Sequence, residues 1–411
     1  MSQILFYVIV AIIIFDFIFD KYLDYLNLKA LKPFVPDELK GIYDEKKYRE
    51  SQLYLRTNTK FSFIVSVFGL VLLLVMLFTK GFAALDLWVR HISGNSYLQT
   101  LLYFGILGLG YDIITMPFQI YGTFVIEEKF GFNKTTPKTF ILDKIKGWLL
   151  SAIIGGALLI FLQWAYNTTG KWFLPVALAG MGAFMVFTAM FYTSLIVPMF
   201  NKLRPLEEGE LRDALNSFAA KAGFKLENIY VIDGSKRSTK ANAYFSGLGP
   251  KKKIILYDTL IDDLSTEEIV AVLAHETGHY KEKHILKGLV MSLVQSAVMI
   301  FLLWYSLGYS ELSQALGATQ SSFCLGLTAF GLLYSPVSFI MELVTNRFSR
   351  KFEYSADAFA ASFGLGKKLI DGLIKLSVKN LSNLMPHPLY VYFHYSHPTL
   401  LQRKRAIENK I

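Results

Sequence analysis

The stretch Leu264-Ser-Thr-Glu-Glu-Ile-Val-Ala-Val-Leu-Ala-His-Glu-Thr-Gly-His279 carries the reading of this chain. Ser265 stands as an N-cap, Glu268 follows three residues on to close a capping box, and Leu264 and Ile269 are spaced as a hydrophobic staple, so a helix begins here. Within it His275 and His279 lie one turn apart on one face, where both imidazoles reach a single zinc ion. Glu276, one residue round, approaches a water at that metal as general base. Ala271, Val272 and Ala274 are small or apolar and let the helix pack closely. The single cysteine, Cys324, excludes an internal disulfide and a thiolate cluster, so a metal site must be built from His, Asp and Glu.

A third ligand is needed. His284 lies nine residues after His275, which on a continuous helix is about 180° round and roughly 13 Å along, too far to share the ion. Glu282 and Ile285 occupy the places where a three-histidine zinc motif needs its glycine and last histidine. A downstream carboxylate is therefore expected, Glu342 or Glu353. Glu353 is preferred, because Asp357 follows one turn later, where it can fix the tautomer of a ligating histidine, and Ala356, Ala358, Ala360 and Ala361 allow close helix approach.

Outward from that helix the chain is apolar: 53% of its 411 residues are hydrophobic and 18% charged, with mean hydropathy +0.38. That balance excludes an ordinary soluble domain and a disordered chain. Apolar stretches near 3–19, 61–79, 98–120, 148–166, 172–199, 288–307 and 322–344 are each long enough to cross a ~30 Å hydrocarbon core, predicting seven spans. Basic residues crowd alternate loops, at 21–60, 129–146 and 201–287, while the opposite loops hold only Lys80, Arg90 and Lys171. The positive-inside rule then puts the N-terminus outside and both 201–287 and the C-terminal tail in the cytosol. The net charge of +10 is explained by topology; the bilayer is the expected partner, and no nucleic acid is. The first apolar run reads as a retained helix, since no Lys or Arg precedes it and no small-residue cleavage site follows before Asp20 and Lys21.

The expected fold class is mainly α: a seven-transmembrane-helix protein with a cytosolic α+β zinc peptidase domain. Residues 1–200 form spans one to five with their loops; 201–284 form a catalytic segment with a small β-meander and the zinc helix. Residues 285–344 form spans six and seven, and 345–411 a cytosolic segment supplying the third ligand. In the catalytic segment, Glu208–Ala222 has helical spacing, and Ile229–Ile232, Asn242–Phe245 and Ile254–Tyr257 read as strands, with turn signals at Asp233-Gly234 and Gly249-Pro250.

Several segments in order, Glu127–Lys134, Pro205–Gly209, Tyr230–Ser238, Asn242–Phe245, Glu268–His279, Ser349–Ala360 and His394–Pro398, resemble those of the type I CaaX prenyl proteases, integral-membrane zinc endopeptidases. The likeness covers almost the whole chain. It implies a ring of seven long helices around a large water-filled chamber, with one zinc ion per chain at its cytosolic end. It makes His275, His279 and Glu353 the ligands, Glu276 the base and Asp357 a supporting partner. His397 and Arg403 would lie over the site, stabilising the oxyanion and holding substrate or a neighbouring carboxylate. Asn242 and Ala243 would offer backbone groups on an edge strand to which the peptide adds; the plain alternative is an interior strand.

The reaction so implied is hydrolysis near the C-terminus of isoprenylated CaaX proteins, releasing the last three residues. The substrate is a lipidated or unmodified peptide, and the setting is the endoplasmic reticulum or a bacterial inner membrane, with the site on the cytosolic side. Arg403, or another basic residue of the tail, is the expected anchor for the substrate carboxylate. The sequence departs from the family in having no insertion between Asp258 and the zinc helix and in carrying Lys240-Ala241 where His-Ser is often found. Competing readings are a quality-control protease without a lipid requirement and a zinc-containing transporter or chaperone, for which Asp16 and Asp112 within spans would suit. The intact Glu276 favours a hydrolase, because a structural metal needs no base between its histidines.

Overall fold

In the computed structural model, which describes residues 1–223, 228–247 and 253–411, long apolar helices form one part of the molecule. These are α1 (Ser2–Lys29), α2 (Glu45–Phe78), α4 (Ser96–Tyr121), α5 (Pro137–Thr169), α6 (Phe173–Phe191) and α11 (His284–Leu307), with α3 (Gly81–Ile92) a short helix between α2 and α4. Two of them end in a π turn, α4 at Gly122–Glu127 and α6 at Tyr192–Ile196, the latter followed by α7 (Val197–Phe200).

By length and hydropathy five described segments can cross a membrane, the run Pro137–Phe200 among them, and a bent pair of helices makes a sixth. That run holds 64 residues, roughly 96 Å if straight, and it does not stay straight. Gly170 ends α5 with φ +52°, a conformation that favours glycine, and α6 then packs against α5. Gly180 lies so close across this turn that a Cβ there would meet Phe161 Cζ at 2.2 Å. The bent pair is α13 (Phe323–Leu333) and α14 (Ser335–Ser362), which meet at 52°. The continuous span expected over 322–344 is thus broken, because Pro336 lacks the N–H that would carry the helix across Tyr334 and Ser335.

The polar segment folds on the zinc helix. It contains β1 (Leu203–Pro205), α8 (Glu210–Lys221), β2 (Ile229–Ile232), β3 (Ala243–Ser246), β4 (Lys253–Tyr257), α9 (Asp258–Asp263) and α10 (Thr266–Lys281). The strand order is β1-β2-β4-β3, with β2 and β4 parallel and the other pairs antiparallel. This corrects the expected meander: β2 and β3, consecutive in sequence, are not neighbours, since β4 inserts between them. The turn signal at Gly249-Pro250 lies outside the described residues. Strand alternation sends Ile229, Val231, Ile254 and Leu256 into the core with Leu215, Phe218, Ile269 and Leu273, while Ile232 and Ile255 face Val197 of α7.

The start of α10 is as its sequence requires. The Ser265 side chain accepts from the Glu268 N–H and Glu268 accepts from the Ser265 N–H at 2.8 Å. The C-terminal segment forms α15 (Gly366–Lys379), α16 (Pro388–His394) and α17 (Leu400–Glu408); α15 packs against α10, and its Lys375 pairs with the buried Glu268 at 2.7 Å. A further short helix, α12 (Ser310–Ala315), links α11 to α13. The α10 and α14 helices cross closely at Gly278, where a Cβ would stand 2.9 Å from Ala356 Cα. That crossing brings the carboxylates of α14 to the histidines of α10.

Candidate metal centre

His275 and His279 project from α10 with their Nε2 atoms 3.2 Å apart. Glu353 of α14, 78 residues downstream of His275, places Oε2 3.5 Å from His275 Nε2 and Oε1 3.2 Å from His279 Nε2. A zinc ion with bonds of ~2.0–2.1 Å in tetrahedral geometry needs donors roughly 3.3 Å apart, so these three residues fit the ion. Among the described residues they form the one group of this kind, and Glu342 is not part of it. Glu353 is buried, His275 is buried and His279 is partly open, leaving one side of the centre accessible.

Each histidine is held through its other nitrogen. His275 Nδ1 lies 2.9 Å from Asp357 Oδ1, the bond that leaves Nε2 bare for a metal. His279 Nδ1 meets His284 Nδ1 at 2.9 Å, and His284 Nε2 meets Ser355 Oγ at 3.2 Å. His284 is thus no ligand, but neither does it lie on the far side, as it would on one continuous helix. Instead α10 ends at Lys281, Lys283 takes a left-handed conformation with φ 55°, and α11 begins at His284. The ring returns to the centre and stacks on Phe352, 4.2 Å between centroids. The charged run Lys281-Glu282-Lys283, set between a polar helix and an apolar span, was the one sign that the chain turns there.

Burial lowers the pKa of His279, but the hydrogen bond and charge of Glu353, aided by the charge of Glu276, more than offset it, so the net shift is upward. Glu276 is half-buried, and its carboxylate has no hydrogen-bond or ion-pair partner among the described residues.

Arg403 of α17 is 9% exposed. Its Nε and Nη2 reach the two oxygens of Asp357 at 2.9 and 2.6 Å, and Nη1 stands 3.4 Å from Glu353 Oε2. Burial pushes its pKa down and the Asp357 bond more than reverses that. Of the two expected roles, holding substrate or a neighbouring carboxylate, the fork takes the second, on Asp357. His397 behaves otherwise: its side chain is 62% exposed, yet Nε2 lies 3.3 Å from Glu353 Oε1, on the open side of the centre.

The segment expected to bind a peptide is at an edge, since among the described residues β3 pairs only with β4. The Tyr257 N–H donates to the Asn242 carbonyl at 3.1 Å, and antiparallel alternation then turns Ala243 and Phe245 outward while Asn242, Tyr244 and Ser246 face β4. The Asn242 side chain takes the Ala243 N–H at 2.8 Å. Ala243 is thus placed as expected, Asn242 points its carbonyl the other way, and Phe245 is the outward residue that strand spacing alone did not single out.

Two histidines and a carboxylate on crossing helices, with an unpaired glutamate between the histidines and long apolar helices attached, define a membrane-embedded metallopeptidase. The chain belongs to peptidase family M48, whose model matches residues 205–411, while residues 24–202 match the CAAX prenyl protease N-terminal module of five membrane helices. It is 36% identical to CAAX prenyl protease 1 of Saccharomyces cerevisiae, covering 96% of this chain and 93% of the relative. It is 31% identical to the CAAX prenyl protease 1 homolog of Homo sapiens, covering 91% and 88%. The crystal structure of S. mikatae Ste24p superposes with a TM-score of 0.93 at 33% identity, covering 98% of this chain and 99% of that one. The chain is accordingly an integral-membrane metalloendopeptidase that processes CaaX proteins.

Proposed function

We propose that this chain releases the last three residues of isoprenylated CaaX proteins, with one zinc ion held by His275, His279 and Glu353. The observation that carries this reading is the close donor set, with the histidine Nε2 atoms 3.2 Å apart, Glu353 Oε1 3.2 Å from His279 and Oε2 3.5 Å from His275, beside Glu276, which has no ion-pair partner among the described residues. Zinc, when bound, supplies Lewis acidity, polarising a carbonyl and lowering the pKa of water to about 7. Glu276 takes the proton of the attacking water and passes it to the leaving amine. His397, on the open side, donates to the oxygen on which charge develops. Asp357 fixes the His275 tautomer, and Arg403 holds Asp357 ionised and in place. The peptide adds to β3 through the outward backbone groups of Ala243 and Phe245.

The reversal at Gly170 divides Pro137–Phe200 into two passes, and α13 with α14 makes one bent pass, so we count seven around a chamber. The crowding of Lys and Arg in alternate loops supports a cytosolic face for the metal, in the endoplasmic reticulum or a bacterial inner membrane. Incubation of the purified protein with a farnesylated CaaX peptide tests the reading. Release of the C-terminal tripeptide by wild type and not by Glu276→Gln is the expected result. Equal cleavage of unlipidated, unfolded proteins would replace it with broad quality control.

A further inference from the structure

The two π turns of the membrane helices sit at the two ends of the edge strand. Widened turns of this kind cost regular hydrogen bonding and are found mostly where function demands them. Glu127, the last residue of the first π turn, accepts from Lys240 Nζ at 2.9 Å and from the Tyr54 hydroxyl of α2 at 2.5 Å. Lys240, three residues before β3, also donates to the Tyr54 hydroxyl at 2.9 Å and lies 4.4 Å from the centroid of the Phe132 ring. The backbone beside it is stitched to the same loop: the Thr239 N–H donates to the Phe132 carbonyl at 3.2 Å and the Lys134 N–H to the Arg237 carbonyl at 3.0 Å. At the other end, the hydroxyl of Ser246, the last residue of β3, bonds the hydroxyl of Thr193, which is buried in the second π turn.

A four-residue strand with one neighbour has little to hold it in place. Here both its ends are tied to membrane helices, and the outward backbone groups of Ala243 and Phe245 lie between the ties. We propose that the two π turns position the substrate strand: Lys240, Glu127 and Tyr54 at one end, and Thr193 with Ser246 at the other, hold β3 so that a peptide pairs with it in one register. The proposal rests on the strand-addition reading given above. None of these five residues touches the metal ligands; they act through β3, so their loss weakens peptide capture and leaves the hydrolytic groups in place. The membrane bundle, rather than the polar segment alone, then sets how the peptide is presented.

The test measures zinc content, kcat and KM on a farnesylated CaaX peptide for Lys240→Met, Glu127→Gln, their double variant, and Thr193→Val, with Thr193→Ser as the conservative variant. KM is expected to rise about tenfold in Lys240→Met and Thr193→Val, with kcat within about twofold and zinc retained. The double variant is expected to be no worse than either single one, as for residues in one network, and Thr193→Ser to restore KM. In parallel, a set of peptides N-methylated at successive positions is assayed on the wild type. Alternating sensitivity supports strand pairing; a flat profile overturns strand addition and the inference with it. An alternating profile with KM unchanged in Lys240→Met and Thr193→Val overturns the inference alone. So does a joint loss of kcat and zinc that Thr193→Ser does not repair, which marks these residues as structural. Should Lys240→Met fail to fold, the Thr193 pair of variants decides.

Discussion

Replacing Gly278 by alanine will weaken zinc binding although the residue ligates nothing. The added Cβ would stand 2.9 Å from Ala356 Cα, 3.0 Å from Phe359 Cβ and 3.1 Å from the Ala356 carbonyl oxygen. Carbon atoms rest at about 3.5–4.0 Å, so α10 and α14 must part by roughly 0.5–1 Å. Overpacking of this sort costs about 1–3 kcal/mol, and the better helix propensity of alanine returns about 0.8–1.0 kcal/mol, leaving a net loss of about 0–2 kcal/mol. The metal centre is less tolerant. Glu353 lies three residues before Ala356 on α14 and Asp357 directly after it, whereas metal–ligand distances must hold to about ±0.2 Å. A 10–100-fold drop in zinc affinity is expected, as for loss of an outer partner of a metal site. Competition with a calibrated chelator measures it, alongside a thermal melt. Gly288→Ala is the control, because a Cβ there meets nothing within 4 Å. Zinc affinity in Gly278→Ala within twofold of wild type would refute the view that this contact sets the ligand geometry.

Glu276→Gln should keep zinc and fold while losing about 10²–10⁴-fold in kcat, read by tripeptide release and metal analysis; undiminished turnover would remove its role as base. Glu353→Ala should lose zinc, and full activity with zinc still bound would return the third position to Glu342. Arg403→Ala leaves the buried Asp357 with His275 but no guanidinium, a cost of about 3–5 kcal/mol in a melt, and amidating the peptide C-terminus should affect this variant and the wild type equally. An amidation penalty confined to the wild type would restore Arg403 as the substrate anchor. For pH, the raised pKa of His279 stabilises the metal-free protein below the ordinary histidine value of ~6.5, a contribution lost as pH rises through the raised folded value. Zinc needs the neutral ring, so the sign reverses on loading: apparent zinc affinity should fall on acidification through that same raised value, as a metal titration at stepped pH will show.

What the sequence settles alone is whatever depends on neighbours along the chain. The capping box of Ser265 and Glu268, the shared face of His275 and His279 and the apolar length of the spans follow from helix geometry and hydropathy within about 20 residues. Glu353 was legible for the same reason, through Asp357 one turn on and the alanines that let two helices meet. The rest depends on contacts between distant segments. Lys283 turns left-handed and returns His284 to the centre; Arg403 is taken up by Asp357, 46 residues earlier. The β4 strand enters between β2 and β3, and Phe245 gains its outward role only from the register against Ile254. Periodicity records which face of an element is apolar, but not which other element covers it. Helix crossings and strand order are chosen by packing over the whole chain, so the ligands were readable in the sequence while the groups that orient them awaited the tertiary structure.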